Sequence, residues 1–256
     1  MLFAFKRSKI AFAGVLTLTA VIIALLWVRD QGRALYIPLV ASLLLAGLGV
    51  LAALLLGNIL ANMETTRYLG YLHMELDPEK FLKAYRNVLA KLKASSRSAA
   101  VARSYLADGY WANGQFREAL DALSPMPDSR DAALYGLFAE KRCAVLQAMG
   151  DTEGAEAALA QLQQAAESSR ASKPELSKNL HENLALYRQQ QNALTRQEVD
   201  RAALSRAFKQ AQYNLRRLEI ARIFQLNEAL NQVPAPKTTR EYLEKHSGKT
   251  FFSRLR

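Results

Sequence analysis

Cysteine, histidine and proline are scarce in this chain of 256 residues: one Cys, three His and seven Pro. A single cysteine, Cys143, excludes an intrachain disulfide. His73, His181 and His246 lie too far apart in sequence to show metal-ligand spacing, so no metal is expected. Also missing are the motifs that carry common chemistry. There is no glycine-rich phosphate loop, no Gly-x-Ser-x-Gly elbow and no His-Glu-x-x-His helix. His181-Glu182 has no second histidine four residues on, and Ser247-Gly248-Lys249-Thr250 lacks the upstream glycine of a P-loop. No catalysis and no cofactor are expected.

Charge is absent where it is most informative. Neither Ile10 to Val28 nor Ala34 to Met63 contains Asp, Glu, Lys or Arg. About 20 apolar residues in a helix cross a bilayer core of roughly 30 Å. Both runs predict membrane-spanning helices, at 10–28 and 35–61. The connector from Arg29 to Arg33 is short and polar, which suits a reversal, and Trp27 and Tyr36 flank it as interfacial aromatics do. The first run exceeds the usual h-region of a signal peptide and lacks a small-x-small cleavage site, so an uncleaved hairpin is expected. Gly49, Ala53 and Gly57 recur at four-residue steps and form a small-residue face for close helix packing, on the first span or a second copy. No ionisable residue lies inside either run, which favours an anchor over a transport pathway.

What charge there is lies at the two ends. Residues 1–66 carry five Lys/Arg against two Asp/Glu, residues 196–256 carry 13 against six, and the middle is nearly neutral. Lys6, Arg7 and Lys9 precede the first span and Arg67 follows the second. The positive-inside rule therefore predicts both termini and the soluble region in the cytoplasm. A basic tail over 233–256, with Phe251 and Phe252 among its cations, is expected to touch anionic lipid. Acids are mixed through the middle and no recognition motif appears, so nucleic acid is not an expected partner.

From Asp77 to Gln232 good helix formers dominate, and Pro and Gly fall at breaks such as Pro78, Gly114, Gly150 and Pro174. No alternating β-branched run predicts a strand. Leu106, Ala107 and Tyr110 share one helical face. Gly114 suits a helix end, and Phe116 and Ala119 open the next inner face. Phe81 and Ala84 precede Phe116 and Ala119 by 35 residues; Gly150 and Ala155 follow Gly114 and Ala119 by 36. Cys143 and Leu146 then stand where Ala107 and Tyr110 stand, which makes Cys143 a small packing residue.

On these residues the chain resembles the tetratricopeptide repeat family over about 79–165, with Arg142 and Thr152 departing from its pattern in the second unit. The resemblance implies an all-α fold. A two-helix transmembrane hairpin is followed by an α-solenoid of antiparallel helix pairs and C-terminal packing helices. Expected segments are a basic tail 1–9, the spans, a linker 64–78, repeats 79–170, helices 174–232 and the tail 233–256. Along 174–232, Leu204, Phe208, Ala211, Leu215 and Leu218 form an apolar stripe.

The resemblance also implies a protein partner on the face of the first helix of each unit. The matching positions are Ser104, Asp108 and Trp111, then Glu140, Ala144 and Gln147. The Lys and Asn that clamp a partner's terminal carboxylate in chaperone-binding members are missing at Ser104 and Asp108. The functional expectation is a membrane-anchored scaffold, with a hairpin-centred accessory subunit as the alternative.

Overall fold

The computed structural model describes residues 5–29, 36–75 and 77–195, with isolated positions at 197, 198, 200, 202 and 206. The expected stripe from Leu204 to Leu218 and the basic tail 233–256 lie outside the described residues. Every regular element described is an α-helix, and no strand occurs among the described residues. In chain order the helices are α1 (Lys6–Arg29), α2 (Tyr36–His73), α3 (Pro78–Leu89), α4 (Arg97–Ala112), α5 (Phe116–Ala122), α6 (Ala132–Met149), α7 (Thr152–Ser169) and α8 (Pro174–Leu194). The chain divides into two compact units, Met1–Arg67 with Val88–Lys93, and Tyr68–Asn87 with Ala94–Arg256.

In the first unit α1 and α2 run antiparallel. Ser8 pairs with Gly57 and Trp27 with Ser42, so residue numbers rise along one helix as they fall along the other. Both helices are long and apolar enough to cross a membrane. At 24 residues α1 extends about 36 Å. Their large apolar side chains point outward: Leu25, Val28, Leu43 and Leu48 are all more than 60% exposed. Pro38 sits in the first turn of α2, where its missing N–H breaks no hydrogen bond.

Two boundaries differ from expectation. The residues Lys6, Arg7 and Lys9, expected as a tail, form the first turn of α1. The linker expected at 64–78 is helical to His73. Nothing between Glu64 and His73 breaks a helix except Gly70, and a lone glycine costs only about 1 kcal/mol. The break comes later, where the Asp77 carboxylate accepts from Lys80 N at 2.9 Å and Pro78 opens α3.

In the second unit three more helices start on a side-chain cap. Ser96, Asp131 and Asp151 cap α4, α6 and α7 by accepting from the backbone N–H three residues on. The ends repeat as well. Gly114 N donates to Trp111 O at 3.0 Å and Gln115 N to Tyr110 O at 2.8 Å. Thirty-six residues later, Gly150 N donates to Gln147 O at 3.1 Å and Asp151 N to Leu146 O at 3.0 Å. Both glycines hold positive φ, 74° and 76°, where a side chain would be strained. Helix α5 is only seven residues long, because Pro125 and Pro127 follow its C-cap Leu123. The first helix pair is thus shorter in its second member than in its first.

Helix α6 touches α4, α5, α7 and α8, and α4 touches α5. One apolar cluster joins α6, α7 and α8 through Ala139, Cys143, Leu146, Ala155, Ala158, Leu159, Leu162, Ala165, Ala166, Leu180 and Tyr187. Alanine at so many facing positions brings helix axes close, while each buried Leu contributes about 1.5–3 kcal/mol. Leu106, Ala107 and Ala119 are buried in α4 and α5, Phe81 in α3, whereas Ala84, Tyr110 and Phe116 are only partly covered.

Candidate functional site

Helices α4 and α6 carry the positions singled out for a partner, and most of these are engaged within the chain. Ser104 is fully buried and donates to Val101 O at 2.8 Å, one turn back. Trp111 is 5% exposed, and its buried Nε1–H has no acceptor among the described residues. An open Trp platform is therefore not what α4 presents. Asp108 accepts from Lys141 Nζ at 2.5 Å, with both side chains largely covered. Its contact ties α4 to α6.

The second set ties α6 to α8. Asn183 Nδ2 donates to Glu140 Oε2 at 2.9 Å, and Tyr187 Oη lies 3.4 Å from Glu140 Oε1. Gln147 Nε2 donates to Tyr187 O at 3.0 Å and to Gln191 Oε1 at 3.3 Å. Gln191 Nε2 in turn donates to Thr152 O at the start of α7. Ala144 is partly covered beside them. The sequence reading missed Lys141, Asn183, Tyr187 and Gln191. Lys141 carried a signal, an opposite charge 33 residues beyond Asp108, close to the repeat length. The α8 partners carry none, because α8 lies beyond the segment that resembles the repeat.

This polar lattice acts as a register device. Burying an amide or carboxylate is costly unless it is hydrogen-bonded, so these groups favour the one helix offset that pairs them. No nucleophile is prepared within it. Elsewhere, Ser177 Oγ donates to Ala166 O at 2.7 Å, and His181 Nδ1 lies 2.8 Å from the Ser177 carbonyl oxygen. That second contact requires a proton on Nδ1, which leaves this nitrogen unable to accept one from Ser177. Among the described residues no three His, Cys, Asp or Glu side chains gather as a metal site.

Electrostatic shifts follow ion pairs and burial. Arg97 Nε donates to Asp131 Oδ2 at 2.8 Å and, with the Leu134 N–H, holds the Asp131 carboxyl below its usual range. Burial pushes the Tyr85 phenol well above its ordinary value, and the neighbouring Tyr105 adds to the rise. Tyr85 is the centre of an aromatic cluster. It stacks on Phe81 at 5.0 Å between centroids and meets Tyr68 and Tyr105 edge-on. The cluster joins the end of α2 to α3 and α4.

In the hairpin, Gly49, Ala53 and Gly57 lie buried on the side of α2 that faces α1. A Cβ on Gly49 would fall 2.8 Å from Thr19 Cβ, and Gly57 offers its carbonyl to Ser8 Oγ at 2.5 Å. The small residues thus let the backbones approach, and the approach admits a side-chain-to-backbone hydrogen bond. At the same end Arg7 pairs with Glu64 at 3.3 Å.

No protein-family model, curated protein or solved structure matches the chain.

Proposed function

We propose that the chain is a membrane-anchored adaptor. Helices α1 and α2 cross the bilayer, and tetratricopeptide-like helix pairs hold a protein partner at the cytoplasmic face. The observation that carries this reading is the contrast between two kinds of helix. In α1 and α2 the large apolar side chains face outward, while from α4 to α8 they face a shared interior. Outward Leu and Val over about 30 Å suit hydrocarbon as solvent, and inward apolar faces suit water.

Repeat architecture is supported by the matched closures at Gly114 and Gly150 and by the contacts of α6 with both α4 and α8. The charge bias of Lys6, Arg7, Lys9 and Arg67 supports cytoplasmic termini. Since Ser104, Trp111 and Gln147 are buried, the outer face of α7 is the better partner surface. There Glu153, Glu156, Gln163, Gln164 and Glu167 are exposed. Cross-linking the full chain in intact cells, with adducts mapped by mass spectrometry, tests the reading. Adducts on α7 and its neighbours support it. Adducts confined to α1 and α2 overturn it in favour of an accessory subunit that binds through its hairpin.

A further inference from the structure

We infer that the open end of the α1–α2 hairpin binds the headgroups of anionic phospholipids; this rests on the membrane-anchored reading. The Arg7–Glu64 pair and the Ser8–Gly57 hydrogen bond set the first turn of α1 beside α2 between Gly57 and Glu64. At that level Lys6 and Lys9 are exposed, and Arg67 is exposed one turn past Glu64. None of the three makes an ion pair among the described residues. Glu64, the acid at this end, is mostly covered and already engaged by Arg7.

Directly below these cations the surface turns apolar. Ile10, Ile59 and Met63 are 60%, 55% and 62% exposed. Apolar side chains and unpaired cations therefore succeed one another within about two helical turns, roughly 11 Å. That is the order met on passing from hydrocarbon to headgroup in a bilayer. Long Lys and Arg stems can lie along the apolar band while their charged ends reach phosphate. A headgroup with net negative charge complements the cluster, whereas the ammonium of a zwitterionic headgroup opposes it. In sequence the connector at the opposite end carries Arg29 and Arg33 against Asp30, while this end carries Lys6, Arg7, Lys9 and Arg67 against Glu64, so the preference is stronger in this leaflet.

The test uses the full chain reconstituted in bilayers of equal phosphatidylcholine and phosphatidylglycerol. Lipid retained after extraction into mild detergent is counted by mass spectrometry. Phosphatidylglycerol is expected in excess. The combined Lys6→Gln, Lys9→Gln and Arg67→Gln variant should lower its ratio to phosphatidylcholine by about fivefold or more, the equivalent of at least one cation at the surface. Lys6→Arg, Lys9→Arg and Arg67→Lys together should preserve it. An unchanged ratio in the neutral variant, or no preference in the parent, overturns the inference; a preference owed to the basic tail gives the first of these results. Alkaline carbonate washing of the same vesicles separates the two levels. Release of the protein refutes the anchor itself, while retention without lipid preference refutes only the headgroup site.

Discussion

Single residues in this chain act mainly through the space they leave or the polar group they bury. Gly109 faces Phe81, and a Cβ there would fall 2.6 Å from Phe81 Cδ1, a rigid ring atom. Gly109→Ala should therefore cost about 1–3 kcal/mol by overpacking α3 against α4. Gly150 is the opposite case. Nothing lies within 4 Å of its added Cβ, so Gly150→Ala should cost about 1 kcal/mol through left-handed backbone alone. Denaturant titration of both variants measures the two costs. Trp111 allows a sharper separation. Among the described residues its Nε1–H is unpartnered, so Trp111→Phe removes a buried orphan donor and leaves only a small cavity, at about 1–2 kcal/mol, while Trp111→Ala should lose about 3–5 kcal/mol. A loss on going to Phe as large as that on going to Ala, measured by thermal unfolding, would show that Nε1–H has a partner after all. Glycine at 114 and 150 was legible from spacing. The burial of Trp111 was not, because an aromatic looks the same in sequence whether its neighbours leave it open or cover it.

Among the helices, caps and cross-helix pairs decide where an element begins and which neighbour it meets. Asp131 does both, capping α6 and pairing with Arg97 of α4. Its carboxyl is held below the unfolded value of 3.8, so the folded chain binds fewer protons there than the unfolded chain. The stabilisation is complete above pH 3.8 and is lost as pH falls through the lowered folded value. Asp131→Asn should keep the cap, lose the ion pair and flatten the acid limb of a stability profile taken from neutral pH downward. Asp131→Ala should also lose the cap, at about 1 kcal/mol. Identical acid limbs for parent and Asn variant would show that the pair contributes nothing. The short α5 was foreshadowed by Pro125 and Pro127. The continuation of α2 to His73 was not, since Glu64 to Arg67 reads as an abrupt polar change although helical backbone tolerates polar residues as readily as apolar ones.

For the whole molecule the decisive question is the solvent of α1 and α2. The full chain should stay with the membrane pellet through alkaline carbonate washing, and recovery in the supernatant would remove the anchor. Reporters fused to either end should both read cytoplasmic if the hairpin obeys its charge bias. Buried Cys143 should resist a maleimide in the native chain and react once denaturant opens the α6–α7–α8 cluster. Labelling at equal rates in both states would mean that this cluster does not form as described.

The sequence alone determined the helical class of the described residues, the two apolar runs, and the glycine and proline punctuation. Backbone propensity and hydrophobic period are local properties, and they survive without knowledge of neighbours. Only the tertiary structure decided that Gly49, Ala53 and Gly57 face α1. The same holds for the closing of Asp108, Glu140 and Gln147 onto Lys141, Asn183 and Gln191, and for the outward turn of the second-helix surface of α7. Those outcomes depend on which residues distant in sequence come to share one contact, and that is set by the packing of whole helices.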